Sequence, residues 1–272
     1  MNKNRSVLCV KLLMVHIKQN KKLNKSFNFT FHTQKYKLKD VLNEIVYVMK
    51  YNIPYRAIRS HIKWQTIYKV YRKLVDNKVF ELTYLQLLKK YLKRGLNKKL
   101  KYVYTDTTFV MNKKGTQNIG LNKYYYKKKG NKISILMNSK KFIIDVQVYK
   151  GGKNDCRILE DQLEKCKNIL NKKNNKQKNY FSCDAGYDSK NVKTKIQELG
   201  YIPVIEQNKR GIKNEKLIRQ FNKREKRIYL KRAKIENIIE RIKSIRRINL
   251  RYDKLMETFK GYVYFGIIYL MC

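Results

Sequence analysis

Along residues 37–98, apolar positions recur every three or four residues. Leu38, Val41, Leu42, Ile45, Val46 and Met49 share one helical face. Pro54 suits the first turn of a second helix, and the run from Ile62 to Arg72 predicts a third. Leu82, Leu85, Leu88 and Leu92 predict a fourth, which Gly95 ends. At Leu100 the texture becomes β. The run from Lys101 ends at Asp106, an acid at a strand end. Asn131–Asn138 and Lys141–Lys150 read as further strands, and Gly151-Gly152 turns the chain. A helix over Cys156–Leu170, a polar linker over Asn171–Lys178 and a strand over Tyr180–Asp184 follow. A helix over Ser189–Leu199, a strand over Tyr201–Ile205, a basic loop and a long helix from about Asn214 complete the series. The apolar tail Tyr262–Cys272 has about half the length that a bilayer span needs, and reads as the buried end of a terminal helix. Residues 1–36 show weak periodicity and read as a loose basic arm. The pattern thus predicts a small all-helical domain over 37–98 and an α/β domain with a mixed sheet over 99–272.

Charge changes the picture most. Sixty-five Lys and Arg against 20 Asp and Glu leave a formal net charge of +45. Such a field attracts a polyanion, most simply the phosphate backbone of nucleic acid. An AT-rich coding sequence inflates lysine, but it does not explain the shortage of acids. Arg56, Arg59, Lys63, Lys69 and Arg72 lie on the predicted short helices. They suit either a helix-turn-helix-like DNA reader or a plain bundle whose basic residues face solvent. Five cysteines without a C-x-x-C pair suit free thiols, and three histidines offer little to a zinc site. The start, Met1–Val15, has a short apolar stretch broken by Lys11 and no small-residue cleavage site, which argues against a signal peptide. Nothing in the sequence points to a membrane.

In so basic a chain, the placement of each carboxylate carries information. Asp106 and Asp184 each follow a strand-like run, where α/β sheets put reactive groups. On the long helix, a turn of about 100° per residue puts Tyr229, Arg232, Glu236, Glu240 and Lys243 on one face. Ile228, Ile235, Ile239 and Ile242 form the adjacent stripe that would pack on the sheet. Three carboxylates from two strands and a helix make a hard-oxygen site suited to Mg²⁺, with Mn²⁺ able to substitute. Two such ions about 4 Å apart can activate a water or a 3′ hydroxyl and steady the leaving oxygen at phosphorus. Taken singly, each acid has an ordinary alternative. Asp106 could be a strand-end acid, Asp184 a helix-entry cap, and Glu236 a surface glutamate pairing with lysines.

Tyr229-x-x-Arg232-x-x-x-Glu236-x-x-x-x-x-x-Lys243 resembles the Y-R-E-K signature of insertion-sequence DDE transposases, in a compact insertion-sequence-five-like branch. Asp106-Thr-Thr resembles their first motif, with Thr107 where many members carry Ser. Asp184-Ala-Gly-Tyr-Asp-Ser resembles their second. The likeness extends to Asn122-Lys-Tyr-Tyr-Tyr-Lys-Lys-Lys, to Gly152-Lys-Asn-Asp155 and to Arg251-Tyr-Asp-Lys, over roughly residues 50–272. It implies a ribonuclease-H-like fold in which Asp106, Asp184 and Glu236 are catalytic and bind the metal. It implies DNA contacts from Tyr229, Arg232 and Lys243, with Lys127, Lys128, Arg59, Lys63 and Lys69 as further basic candidates. The implied partners are double-stranded DNA with terminal inverted repeats and target DNA, bound by a homodimer on paired ends. The implied place of action is the cytoplasm of a bacterium, or the site of nuclear or viral DNA in other hosts. The competing readings are a repurposed DNA-binding protein and a nuclease of the same fold.

Overall fold

The face carrying Val41, Leu42, Ile45, Val46 and Met49 is buried in the computed structural model, which describes residues 3–31, 36–93, 95, 100–123, 127–171, 178–209 and 219–272. Contacts divide the chain into two compact units. One comprises Met1–Tyr91, Met111–Gln117 and Arg241–Cys272; the other comprises Leu92–Val110 and Asn118–Glu240. The segment 241–272, expected with the α/β domain, therefore groups with the N-terminal helices.

The first unit is helical: α1 (Lys3–Gln19), α2 (Lys21–Phe31), α3 (Leu38–Tyr51), α4 (Trp64–Asp76), α5 (Val79–Leu92) and α12 (Met256–Met271). Its N-terminal part is not the loose arm expected. Cys9, Leu13, His16 and Ile17 form a buried stripe on α1, and Leu23 and Phe27 do the same on α2. On α1 apolar residues fall on every side, with Val7, Leu8 and Val15 exposed, so the periodic signal is blurred even though one stripe is buried. The expected second helix shrinks to a 3₁₀ turn over Tyr55–Ala57, with Pro54 before it. On α5 the buried residues are Val79, Phe80, Thr83, Tyr84 and Leu88, whereas Leu82 and Leu85 are exposed. The face is turned because Phe80 and Tyr84 fill more volume than the leucines. Phe80 stacks on Phe265 of α12 with ring centroids 4.7 Å apart.

Helix α12 is buried on almost every side, through Phe259, Tyr262, Val263, Phe265, Ile267, Ile268 and Tyr269. A helix that is apolar all round must be surrounded, which explains why it joins the helical unit. Before it, the short α11 (Arg246–Asn249) and β7 (Leu250–Arg251) bring two arginines inside. Arg247 makes a two-pronged pair with Asp253, Nε to Oδ2 at 3.1 Å and Nη2 to Oδ1 at 2.9 Å. Arg251, wholly buried, donates to the carbonyls of Asp253 and Lys254, each at 3.0 Å. The Arg251-Tyr-Asp-Lys motif is thus part of this unit's interior.

The second unit is built on a mixed sheet of β1 (Tyr102–Asn112), β2 (Gly120–Asn122), β3 (Lys128–Asn138), β4 (Ile143–Lys150), β5 (Asn179–Cys183) and β6 (Tyr201–Ile205). The order is β2-β3-β1-β5-β6, with β4 also paired to β3. Strands β3 and β4 are antiparallel. β1 also runs against β3: Thr105 Oγ1 donates to the Ile135 carbonyl, and Gly130 abuts the Val110 carbonyl. Strands β5 and β6 then run parallel to β1. Three antiparallel strands followed by two parallel ones, with helices against them, make a ribonuclease-H-like sheet. Helices α6 (Asp155–Lys165) and α8 (Lys190–Glu198) supply Leu159, Leu163, Val192 and Ile196 to the core over Val103, Phe181 and Tyr201, and the short α7 (Lys167–Leu170) adds Leu170.

Two expectations shift here. β1 does not stop at Asp106 but continues to Asn112, because Thr107–Val110 are β-prone and find partners on β3. The helix expected from about Asn214 begins at Lys223, where Asn222 and Glu225 form a capping box. Asn214 itself, Tyr124–Tyr126 and most of the polar linker lie outside the described residues. No described helix is long and apolar enough to cross a membrane.

Candidate active site

Strand register brings the acids together. The β1–β5 ladder pairs Tyr102 with Tyr180 and Tyr104 with Ser182. Two residues further on come Asp106 and Asp184, on the same face by the two-residue period and on strands about 4.8 Å apart. Asp106 therefore sits where β1 outlives its parallel neighbour, since β5 ends at Cys183. Asp184 also performs the capping role that was its alternative reading, accepting from the Ala185 N–H at 2.7 Å over a 3₁₀ turn. The β5–β6 ladder ends with Cys183 beside Ile205, so the next pair is Asp184 and Glu206. Sequence reading missed Glu206; its one signal is that it follows a strand just as Asp184 does.

The third acid arrives on a broken helix. α9 (Lys223–Leu230) and α10 (Lys234–Lys243) are joined by a 3₁₀ turn over Lys231–Ala233. The tighter winding shifts the phase, so the buried stripe reads Ile228, Ile235, Ile238 and Ile242 rather than including Ile239. Arg232, in that turn, reaches Asp106 Oδ2 at 3.4 Å and Glu236 Oε1 at 3.8 Å. Tyr229 donates to Glu206 Oε2 at 2.9 Å and lies 3.5 Å from Asp184 Oδ1. The guanidinium of Arg232 also sits over the Tyr229 ring, 5.5 Å from its centroid. Arg232 thus links Asp106 with Glu236, and Tyr229 links Asp184 with Glu206. Glu236 and Glu240 are both exposed on α10; of the two, Glu236 is the one paired with Arg232.

Burial pushes the Asp106 carboxyl up from its ordinary 3.8 to about 6; the Thr107 amide and Arg232 oppose this, while the charges of Asp184 and Asp155 add to it. Burial and the bond to Glu206 push the Tyr229 hydroxyl up to about 12. An acid whose folded value lies above its unfolded value binds protons more tightly when folded. Stability of the metal-free protein is therefore expected to fall as pH rises from about 4 to about 6. Urea denaturation across that range in the presence of EDTA reads the slope; a rise with pH in the parent but not in an Asp106 variant would contradict it.

Lys243 closes α10 in the other compact unit. Arg59, Lys63 and Lys69 are exposed on the helical unit, and Lys127 and Lys128 are exposed at the start of β3. A cavity of about 660 Å³ has a wall that includes Thr107, Phe109, Lys132, Asp155 and Asp188.

Among the described residues, no three His, Cys, Asp or Glu side chains stand together as a metal-holding group. Arg232, in contact with both Asp106 and Glu236, neutralises these carboxylates instead. The donor chemistry still fits a hard divalent ion: carboxylate oxygens from two strands and a helix, one of them raised by burial so that added positive charge would favour its ionised form.

Residues 105–260 match the family of the transposase DDE domain. Among curated proteins, no sequence match is found. Among solved structures, the chain is similar to the piggyBac transposase in a synaptic complex with hairpin DNA, with 12% identity and a TM-score of 0.47 over 100% of this chain and 66% of that one. It thus spans slightly under two thirds of that relative's length. It is also similar to the Mos1 mariner paired-end complex with Mn, at 10% identity and a TM-score of 0.29 over 100% of this chain and 97% of that one. The Mos1 catalytic domain with Raltegravir and Mn gives 10% identity and a TM-score of 0.28 over 70% and 89%.

Proposed function

The chain belongs to the family of transposase DDE domains, and from that premise we propose that it binds transposon ends, cleaves DNA and transfers the freed strand to a target. The observation that supports this reading is that strand register brings Asp106 level with Asp184, while Arg232 pairs with Asp106 and Glu236 and Tyr229 lies against Asp184. We assign Asp106, Asp184 and Glu236 as the acids that hold divalent metal, with Mg²⁺ the natural ion and Mn²⁺ a substitute. When bound, the metal supplies Lewis-acid polarisation of the scissile phosphate and of the attacking water or 3′ hydroxyl. Arg232 leaves its carboxylate partners to take a phosphate oxygen, which its planar fork suits. Tyr229 orders Asp184 and Glu206, and its ring seats the Arg232 guanidinium.

We place the protein in the Y-R-E-K branch on the spacing of Tyr229, Arg232, Glu236 and Lys243, with Lys243 as a phosphate contact beyond the acids. The helical segment 37–98 reads the terminal repeat through exposed Arg59, Lys63 and Lys69, while Lys127 and Lys128 add phosphate contacts. The working form is a homodimer on paired ends. Incubating a plasmid that carries the cognate ends with protein and Mg²⁺ tests the activity directly. No cleavage or joining, with Asp184→Asn indistinguishable from the parent, would sink it; cleavage without joining would make the protein a nuclease. Within this reading, Glu236→Gln is expected to abolish nicking and Glu240→Gln to leave it within a few-fold of the parent, since Glu236 is the one paired with Arg232. Loss of nicking in both variants, or in Glu240→Gln alone, would move the third metal ligand.

A further inference from the structure

A second layer stands behind Asp106. Asp155 opens α6, whose N-cap Asn154 accepts from the Cys156 and Arg157 amides. The Oδ1 atom of Asp155 accepts two side-chain donors, Lys132 Nζ at 2.8 Å and Thr107 Oγ1 at 2.9 Å. Lys132, only 8% exposed, also donates to the Lys153 carbonyl at 3.1 Å. A lysine is buried to this degree only when it is paired. Thr107 follows Asp106 on β1, and its side chain leaves the opposite face of the strand. Its backbone N–H meanwhile donates to Asp106 Oδ1 at 2.8 Å. A continuous path therefore runs from β3 through α6 to β1: Lys132, Asp155, Thr107, Asp106.

We propose that Asp155, held by Lys132, is a positioning residue that clamps Thr107 and, through the Thr107 amide, aims the Asp106 carboxylate. The inference rests on the reading of Asp106 as a reacting-site acid. The clamp acts where it is needed, because the β1–β5 ladder ends at Tyr104 and Ser182, so β1 runs past Asp106 without its parallel neighbour. There the Thr107–Asp155 bond adds a restraint from the face of the sheet, on a stretch of β1 that has lost its β5 neighbour. Lys132 lets it do so at no net charge, since a bare Asp155 would set a second negative group near Asp106. Neither Lys132 nor Asp155 touches Asp106, so both act through Thr107. Loss of an outer partner of this kind costs roughly 10–100-fold in metal affinity or activity.

The test uses the full chain and three readouts: single-turnover nicking at saturating end DNA, Mn²⁺ binding followed by the electron paramagnetic resonance of free Mn²⁺, and affinity for end DNA. Thr107→Val, nearly isosteric, is expected to lower the nicking rate and Mn²⁺ affinity about 10–100-fold each, with end affinity and melting temperature unchanged. Thr107→Ser, which keeps the hydroxyl, restores most of both. If Thr107→Val melts early, Asp155→Asn carries the test, because it removes the charge that holds Lys132 while keeping an amide of the same shape; it too is expected to weaken Mn²⁺ binding. Parental nicking and Mn²⁺ affinity in these variants, alongside an inactive Asp106→Asn, would overturn the clamp and leave the active-site reading standing. An active Asp106→Asn would overturn the active-site reading itself.

Discussion

Asp106→Asn is expected to abolish nicking and strand transfer while leaving end binding intact and making the metal-free protein more stable at neutral pH. The activity loss should exceed the roughly 100-fold that loss of an outer-shell partner costs, because a carboxylate oxygen proposed to hold the metal is replaced outright. The stability gain has a separate cause. Burial, with Asp184 and Asp155 nearby, raises the Asp106 pKa to about 6. At pH 7 the folded state must carry an ionised group it disfavours. The amide removes that cost, although it also weakens the pairing with Arg232, so the gain is partial. Plasmid cleavage, end-binding titration and urea denaturation at pH 7.5 together check the prediction. Retained cleavage, or a stability loss as large as that of a core truncation, would make Asp106 a structural acid.

Asp253→Ala is expected to lower stability by about 3–5 kcal/mol, because it strands the Arg247 guanidinium inside the helical unit. Arg247 and Asp253 are only 9% and 6% exposed at the side chain, and their two bonds are 2.9 and 3.1 Å. Asn52 Oδ1, at 3.0 Å from Arg247 Nη1, offers a partner but no charge. An arginine cannot shed its proton to escape, and its neighbours Tyr262 and Asp253 hold its pKa above the usual value against desolvation. A domain holds roughly 5–15 kcal/mol in all, so this one change would consume a large part of it. Asp76→Ala is the control. Its pair with Arg72 is exposed, and its removal is expected to cost under about 1 kcal/mol. Equal midpoints for the two variants in guanidinium chloride would refute the argument.

Much of the second unit was legible in the sequence because its strands are short, apolar and bounded by turns. Tyr201–Ile205 comes out as expected to the residue, and the strand expected over Tyr180–Asp184 falls at Asn179–Cys183, one residue earlier at each end. The burial of α3 was equally plain, since six apolar residues share one face. Helix α5 was found with its face only partly right: Leu88 is buried, but Leu82 and Leu85 are exposed and Phe80 and Tyr84 lie inside instead. The first N-terminal helix was not seen because its apolar residues, Val7, Leu8 and Val15 among them, fall outside the buried stripe as well as on it. Glu206, Asp155 and Lys132 were not singled out as site residues, since each gains its meaning from a neighbour more than 20 residues away.

What the sequence determined by itself was the chemistry available: a +45 field for a polyanion, and Asp106, Asp184 and Glu236 in an order and spacing that resemble one family. Local patterns are short-range, so they could place each acid beside its strand or helix but not beside the others. Only the tertiary structure decided what each acid faces. Parallel pairing of β1 with β5 brings Asp106 level with Asp184, and the 3₁₀ turn at Lys231–Ala233 sets the phase that brings Arg232 to Asp106, with Glu236 on its other side. Register and helix phase arise from contacts between distant segments, and a one-residue slip in the pairing would send Asp106 to the opposite face from Asp184.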